Sequence, residues 1–316
     1  MNRTCTHLLL CAATLAAGLV AWAAPAAAAC NITLRNVANV SFTSAGAYPV
    51  FAATDTGKAV AFQVRHPNNQ AACNYFVTFS KGGSATYSNR RMIFSGTELR
   101  YQIYNSAAQT AILEDVPDAA AGEVIAGVFT STALVTHDLS YYVSIPALQV
   151  VAPATYADTV VVRLYEGTLS SYTQRDSVEI QVRGKTVATT QVCVGCVASF
   201  DTAAHSHELN FGTLETGEFK TGTVRVRSND GYTLKLQSTN RSVLRHTSLN
   251  SAVPYTAAVN GIGVVLTGSQ AVQVAHVPGV TTATGVAYDV QITVGSVAGK
   301  LAGNYTDYIT VTVTGY

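Results

Sequence analysis

A weak internal duplication constrains this 316-residue chain more than any other feature. In the first half, Cys73-Asn-Tyr75-Phe-Val77-Thr-Phe79-Ser80 alternates apolar and polar positions. Asp230-Gly-Tyr232-Thr-Leu234-Lys-Leu236-Gln237 repeats that pattern in the second. Leu99-Arg-Tyr101-Gln-Ile103 is followed by its counterpart Val253-Pro-Tyr255-Thr-Ala, and Tyr141-Tyr-Val143-Ser-Ile145 by Tyr288-Asp-Val290-Gln-Ile292. Last, Tyr156-Ala-Asp158-Thr-Val160-Val-Val162 matches Tyr305-Thr-Asp307-Tyr-Ile309-Thr-Val311. Four matches in one order predict two copies of the same unit. Each unit holds six or seven short strands punctuated by Gly, Pro, Asn and Ser turns. A strand of period two buries one face only, so strands so arranged pack as a two-layer sandwich.

The fold class expected is therefore all-β, two immunoglobulin-like β-sandwich domains in tandem. The Tyr-x-Asp pairs place Tyr156 and Tyr305 where such folds carry a tyrosine corner, with the ring in the core and the hydroxyl on a backbone group. The two copies finish differently. After Tyr165 the first passes through a turn at 166–174 into Asp176-Ser-Val178-Glu-Ile180-Gln-Val182-Arg183, a strictly alternating closing strand. The second reaches the equivalent point at Val313-Thr-Gly-Tyr316, so its unit is expected to be incomplete and to lack its last strand. A sandwich short of one strand exposes an apolar groove rimmed by unpaired backbone groups, which a strand from another chain satisfies.

Residues 1–29 read as an export signal: Arg3, an apolar stretch from Leu8 to Val20, and Ala27-Ala28-Ala29 before the cleavage point. The domains expected are then 30–184 and 185–316. Of six cysteines, Cys5 and Cys11 fall in the leader, leaving Cys30, Cys73, Cys193 and Cys196. In an oxidising compartment the expected pairs are Cys30 with Cys73 and Cys193 with Cys196. Cys193-Val-Gly-Cys196 follows a strand-like run without a βαβ context, so it reads as a tight structural loop rather than a redox site. Three alanines before Cys30 lack the bulky aliphatic residue of lipoprotein signals. The formal charge is +1 with only 12% charged residues, which excludes an electrostatic nucleic-acid binder.

At these residues the chain resembles the spore coat protein U domain family, found in subunits of archaic, Csu-type chaperone–usher pili. The carriers are Asn210-Phe-Gly-Thr-Leu214 with 224–236, Val253-Pro-Tyr255, and Gly303-Asn-Tyr305-Thr-Asp307. The resemblance covers most of 190–316 and, more loosely, 30–165. It implies a tip adhesin plan, a complete N-terminal binding domain followed by an incomplete pilin domain. The partners it implies are a periplasmic pilus chaperone, an outer-membrane usher, the next pilus subunit, and an abiotic surface or host receptor. It further implies passage through the periplasm to a cell-surface pilus. The donor-strand or chaperone interface expected is Tyr305, Ile309, Val311, Val313 and Tyr316.

If strands alternate direction, the loops around 66–73, 105–139 and 166–175 lie at the pole away from the fibre. The middle loop is long and apolar, and tip adhesins of the family carry hydrophobic finger loops. The surface-binding residues expected are Ile112, Leu113, Val116, Val124 and Ile125, with Leu169 and Tyr172 on the next loop. The competing reading makes part of 124–135 a further core strand. Alternatives are an adaptor subunit without adhesive loops, or a carbohydrate-binding sandwich using Tyr87, Tyr101 or Tyr104. No enzyme is expected. His205-Ser-His207 has no third ligand nearby, there is no Gly-x-Ser-x-Gly elbow, and no glycine-rich loop opens a helix. The acids Glu114 and Asp115 read as solvating charges, and Arg90-Arg91 is too small for an anion-binding surface. No cofactor or metal is expected.

Overall fold

A computed structural model describes residues 30–43 and 47–316, so the leader expected at 1–29 lies outside the described residues. The first half carries β1 (Thr33–Arg35), β2 (Val40–Phe42), β3 (Thr56–His66), β4 (Cys73–Phe79), β5 (Arg91–Phe94), β6 (Thr97–Arg100), β7 (Gln102–Tyr104), β8 (Ile125–Phe129), β9 (Val135–Ile145), β10 (Thr155–Thr168) and β11 (Ser171–Lys185). The second carries β12 (Thr190–Val194), β13 (Phe219–Ser228), β14 (Tyr232–Ser238), β15 (Val243–His246), β16 (Ala252–Val259), β17 (Ile262–Val264), β18 (Val272–Val277), β19 (Val286–Val294), β20 (Tyr305–Thr306) and β21 (Ile309–Gly315). Among the described residues the single helical element is a short 3-10 turn at Tyr87–Asn89.

Sheet β1-β3-β9-β7 packs on β2-β11-β10-β4-β8, with the β5–β6 hairpin attached to β10. In the second half β12-β13-β19-β16-β15-β20 packs on the three strands β18-β14-β21. Two separate cores result. One gathers Phe62, Val77, Phe79, Val143, Val160 and Ile180; the other gathers Val226, Leu234, Leu236, Tyr255 and Ile292. The period-two patterns explain both, since β14 buries every second residue, Tyr232, Leu234, Leu236 and Ser238.

The predicted repeat is a structural repeat down to its polar contacts. The Tyr156 hydroxyl donates to the Ala152 carbonyl at 2.9 Å and Tyr305 donates to Leu301 at 2.7 Å, each four residues back. Sequence reading missed a second shared device. Tyr101 donates to Asp158 Oδ2 at 2.6 Å, and Asp158 Oδ1 receives the Gly83 amide at 2.9 Å. Tyr255 donates to Asp307 Oδ2 at 2.6 Å, and Asp307 Oδ1 receives the Asn240 amide at 2.9 Å. Burial raises both tyrosines well above the usual phenol range.

The halves also touch. Asn229 donates to the carbonyls of Val151 and Val187, each at 3.0 Å. The Arg227 guanidinium lies 4.6 Å from the ring of Phe51 in the first half and 4.1 Å from Phe200 in the second.

Candidate functional site

The decisive geometry is a strand edge. In the first half β10 is flanked on both sides, Val162 facing Val178 of β11 and Phe79 of β4. Its Val160, Val162 and Leu164 are fully buried. At the equivalent place β21 pairs only with β14, through Val313–Leu234, Val311–Leu236 and Ile309–Ser238. Its other edge has no partner among the described residues, where β10 has β11 in the first sandwich. Ile309, Val311 and Val313 are consequently only half buried against the core. Val192 and Val194 of β12, with Leu209 and Phe211 in the strandless stretch after it, are left half buried in the same way. The result is an apolar surface bordered by unpaired backbone donors and acceptors.

Two expected interface residues sit apart from this edge strand. Tyr305 belongs to β20, which pairs with β15 in the opposite sheet rather than with β14. The cause is Asp307, whose carboxylate accepts Ser238, Tyr255 and the Asn240 amide and so pins the crossover between the sheets. Tyr316 follows the strand and folds back, its hydroxyl contacting His276 and the Tyr232 carbonyl.

A second surface lies at one end of the first sandwich. The registers Cys73–Phe129, His66–Val135 and Thr168–Ser171 bring together loops 67–72, 130–134 and 169–170. The Asn69 amide donates to the Thr132 carbonyl at 2.7 Å, and the Cys30–Cys73 disulfide closes the base. Residues 67–74, 127–134 and 168–174 contain no Asp, Glu, Lys or Arg. Val128, Leu134 and Tyr172 are exposed there, and Tyr172 stands edge-on to Tyr165 at 5.2 Å.

The expected finger residues divide. Leu169, half buried, and Tyr172 are at this pole. Ile112, Leu113 and Val116 are not: their segment fills the flank between β7 and β8, the free edges of the two sheets. Leu113 is fully buried, its amide donating to Ile103 and its carbonyl accepting from Arg90, so it is corrected from a surface finger to a core residue. Ile112 bridges Tyr104 and Val116 is half buried. Val124 and Ile125 are half buried where β8 begins, with Ile125 opposite Val77; this is the core-strand reading of 124–135. Unforeseen members of the pole are Val128 and Leu134. The charge-free run of its loops is the signal in the sequence that points to them.

Buried charges hold the flank. Arg90 is fully buried and donates to the carbonyls of Phe79, Ser80 and Leu113 and to Gln102; burial pushes it down to about 10. Asp115, expected to be solvated, is buried instead, accepting Thr78 at 2.6 Å and pairing with Arg163. Tyr87 and Tyr101 are buried and Tyr104 half buried, so the three do not form an open aromatic sugar shelf. His205 and His207 are exposed. Among the described residues, the one group with metal-ligand spacing is Cys30, His66 and Cys73, whose sulfurs are joined in a disulfide. Cys193 and Cys196 form the second disulfide.

These features define a class, a tandem β-sandwich protein whose first unit is sealed by its own strands and whose second presents an open edge. Residues 16–163 match the family model of the Spore Coat Protein U domain. The match falls on the half that the sequence reading matched more loosely. No curated relative matches the chain. It is similar to the CsuC–CsuE chaperone–tip adhesion subunit complex of Acinetobacter baumannii, with 14% identity and a TM-score of 0.40 over 77% of this chain and 84% of that one. It is also similar to the CupB6 tip adhesin of Pseudomonas aeruginosa, with 10% identity and a TM-score of 0.37 over 90% and 95%. CfaE, the adhesive subunit of CFA/I fimbria of enterotoxigenic Escherichia coli, gives 11% and 0.33 over 90% and 81%.

Proposed function

We propose that this chain is the tip adhesin of an archaic chaperone–usher pilus, exported through the periplasm, with its leader removed, to the cell surface. In this reading residues 30–184 bind and residues 185–316 join the fibre by accepting a donor strand. The observation that carries it is the unpaired edge of β21, with Ile309, Val311 and Val313 half exposed where the first sandwich seals the equivalent strand. The Spore Coat Protein U match supports it as the family's plan. A periplasmic chaperone occupies the edge first, and the next subunit's strand replaces it at the usher. Nothing in this role calls for catalysis or a cofactor.

The attachment surface is the charge-free pole, with Val128, Leu134, Leu169 and Tyr172 in place of the flank residues. Covering such a surface against an apolar material releases roughly 25 cal/mol per Å² without demanding a specific partner.

Two experiments test these parts separately. Fusing a peptide with the 176–184 sequence through a flexible linker after Tyr316 is expected to turn an aggregating chain into a monomer. A chain already monomeric and indifferent to the peptide would falsify the donor-strand assignment. Leu134→Asp with Tyr172→Asp is expected to abolish attachment of piliated cells to a hydrophobic surface while pili still assemble. Retained attachment removes the pole.

A further inference from the structure

His66 ends β3 at the pole and is fully buried, yet both of its ring nitrogens face carbonyl oxygens. Nδ1 lies 3.0 Å from the Ala133 oxygen and Nε2 lies 2.9 Å from the Ala71 oxygen. A neutral imidazole carries one N–H; it satisfies one carbonyl and turns a lone pair toward the other. The imidazolium alone donates to both. Ala71 belongs to loop 67–72 and Ala133 to loop 130–134, so the ring bridges two of the loops that form the pole.

The surroundings suit a cation. The ring packs 4.9 Å from Phe129, whose π face attracts positive charge. Among the described residues neither ring nitrogen reaches a carboxylate, and both face carbonyl dipoles. The titratable and charged groups nearby are Tyr75 of β4 and His137 of β9, which both stack on Phe129 and join to each other at 2.7 Å. Arg65 precedes the ring on β3. Glu166 of β10 is engaged by the Cys30 amide at 3.2 Å and by Arg175. The sulfurs of Cys30 and Cys73 are locked in their disulfide and do not titrate.

We propose that His66 is a proton-operated staple of the binding pole. With the proton bound it pins both loops. When the proton leaves, one carbonyl loses its donor and one loop is freed. The two carbonyls are both satisfied only while each ring nitrogen carries a hydrogen, so the contact geometry itself ties loop pinning to the proton. This device stands on the geometry alone, whatever the pole attaches to.

The test uses the full exported chain labelled with ¹⁵N at histidine. At about pH 5.5 both His66 ring nitrogens are expected at protonated shifts, and at about pH 8.5 one is expected to become bare. The Asn69 amide, bonded to Thr132, is expected to exchange about tenfold faster at the higher pH after correction for the intrinsic rate, the worth of one hydrogen bond from a charged donor. In His66→Phe that pH dependence should vanish. A bare ring nitrogen already present at about pH 5.5 overturns the proposal, as does unchanged Asn69 protection across the range. The wild-type measurement stands even if the variant does not fold.

Discussion

The two sandwiches begin from one repeat and reach opposite ends. In the first, β11 pairs with β10 along its whole length and lies parallel to β2, so Val160, Val162 and Ile180 are shut away from water. In the second, Ile309 and Val311 occupy the places of Val160 and Val162 and stay half exposed. The side chains barely differ; what differs is one neighbouring strand. Burial at a strand position is therefore a property of its pairing as much as of its own residue.

The largest test of that contrast is a matched pair of charges. Ile180→Asp buries an unpaired carboxylate and is expected to cost about 4 kcal/mol or more, enough to unfold the first sandwich. Val311→Asp places its charge at a groove open to water and is expected to cost about 1 kcal/mol. Hydrogen exchange read separately over peptides of each half measures both. With a donor peptide fused after Tyr316, the Val311 penalty should climb toward that of Ile180. Equal penalties without the peptide would erase the distinction between sealed and open edges.

Next in size are the carboxylates that both halves share. Asp158→Ala and Asp307→Ala each strand a buried tyrosine hydroxyl and a backbone amide, and each is expected to cost about 3 kcal/mol. Combining Asp158→Ala with Tyr101→Phe should recover part of the loss, since no phenol is then left unpaired. Because the device is common to both units, the two penalties should be alike. A much smaller effect at Asp307 would mean that the open sandwich is too loosely held to use it.

Alkaline titration gives a smaller, graded effect. Burial pushes Tyr75 and Tyr165 of the first sandwich up to about 12. The folded form thus holds a proton that an unfolded tyrosine releases near pH ~10. Their contribution is complete below that pH and is lost between it and about pH 12, by about 1.4 kcal/mol per pH unit for each tyrosine. Urea unfolding at rising pH should show stability falling only above pH ~10, with a shallower fall in Tyr75→Phe.

How much of this was legible in the chain depended on the range of the cause. The strands are local, period-two patterns, readable residue by residue in both copies of the repeat. The flank was not legible. The apolar run Ala111-Ile-Leu113 looks the same on a loop tip or in a seam. What decides is Arg90, which reaches the Leu113 carbonyl from 23 residues away. The Tyr101–Asp158 bond spans 57 residues and its counterpart Tyr255–Asp307 spans 52. Their one local trace was that both partners recur together in the two copies. At the pole, the absence of charge went unread, although it holds whichever loop turns out to be a strand.

The smallest prediction concerns hydroxyls that the repeat places alike and tertiary structure treats differently. In the second sandwich Tyr232 and Tyr288 hydrogen-bond to each other at 2.7 Å. Their counterparts are Tyr75 and Tyr141. Tyr75 instead reaches His137, and the Tyr141 hydroxyl is buried with no partner among the described residues. Removing an unpaired buried hydroxyl relieves a desolvation cost, whereas removing a paired one orphans its partner. Tyr141→Phe is expected to be neutral or to stabilise by up to about 1 kcal/mol, and Tyr288→Phe to destabilise by about 1 kcal/mol. Opposite signs at equivalent positions would tie the diversion of Tyr75 to the histidine cluster at the pole. Equal losses would mean that Tyr141 bonds to a trapped water, and the two cores would then be alike in this respect.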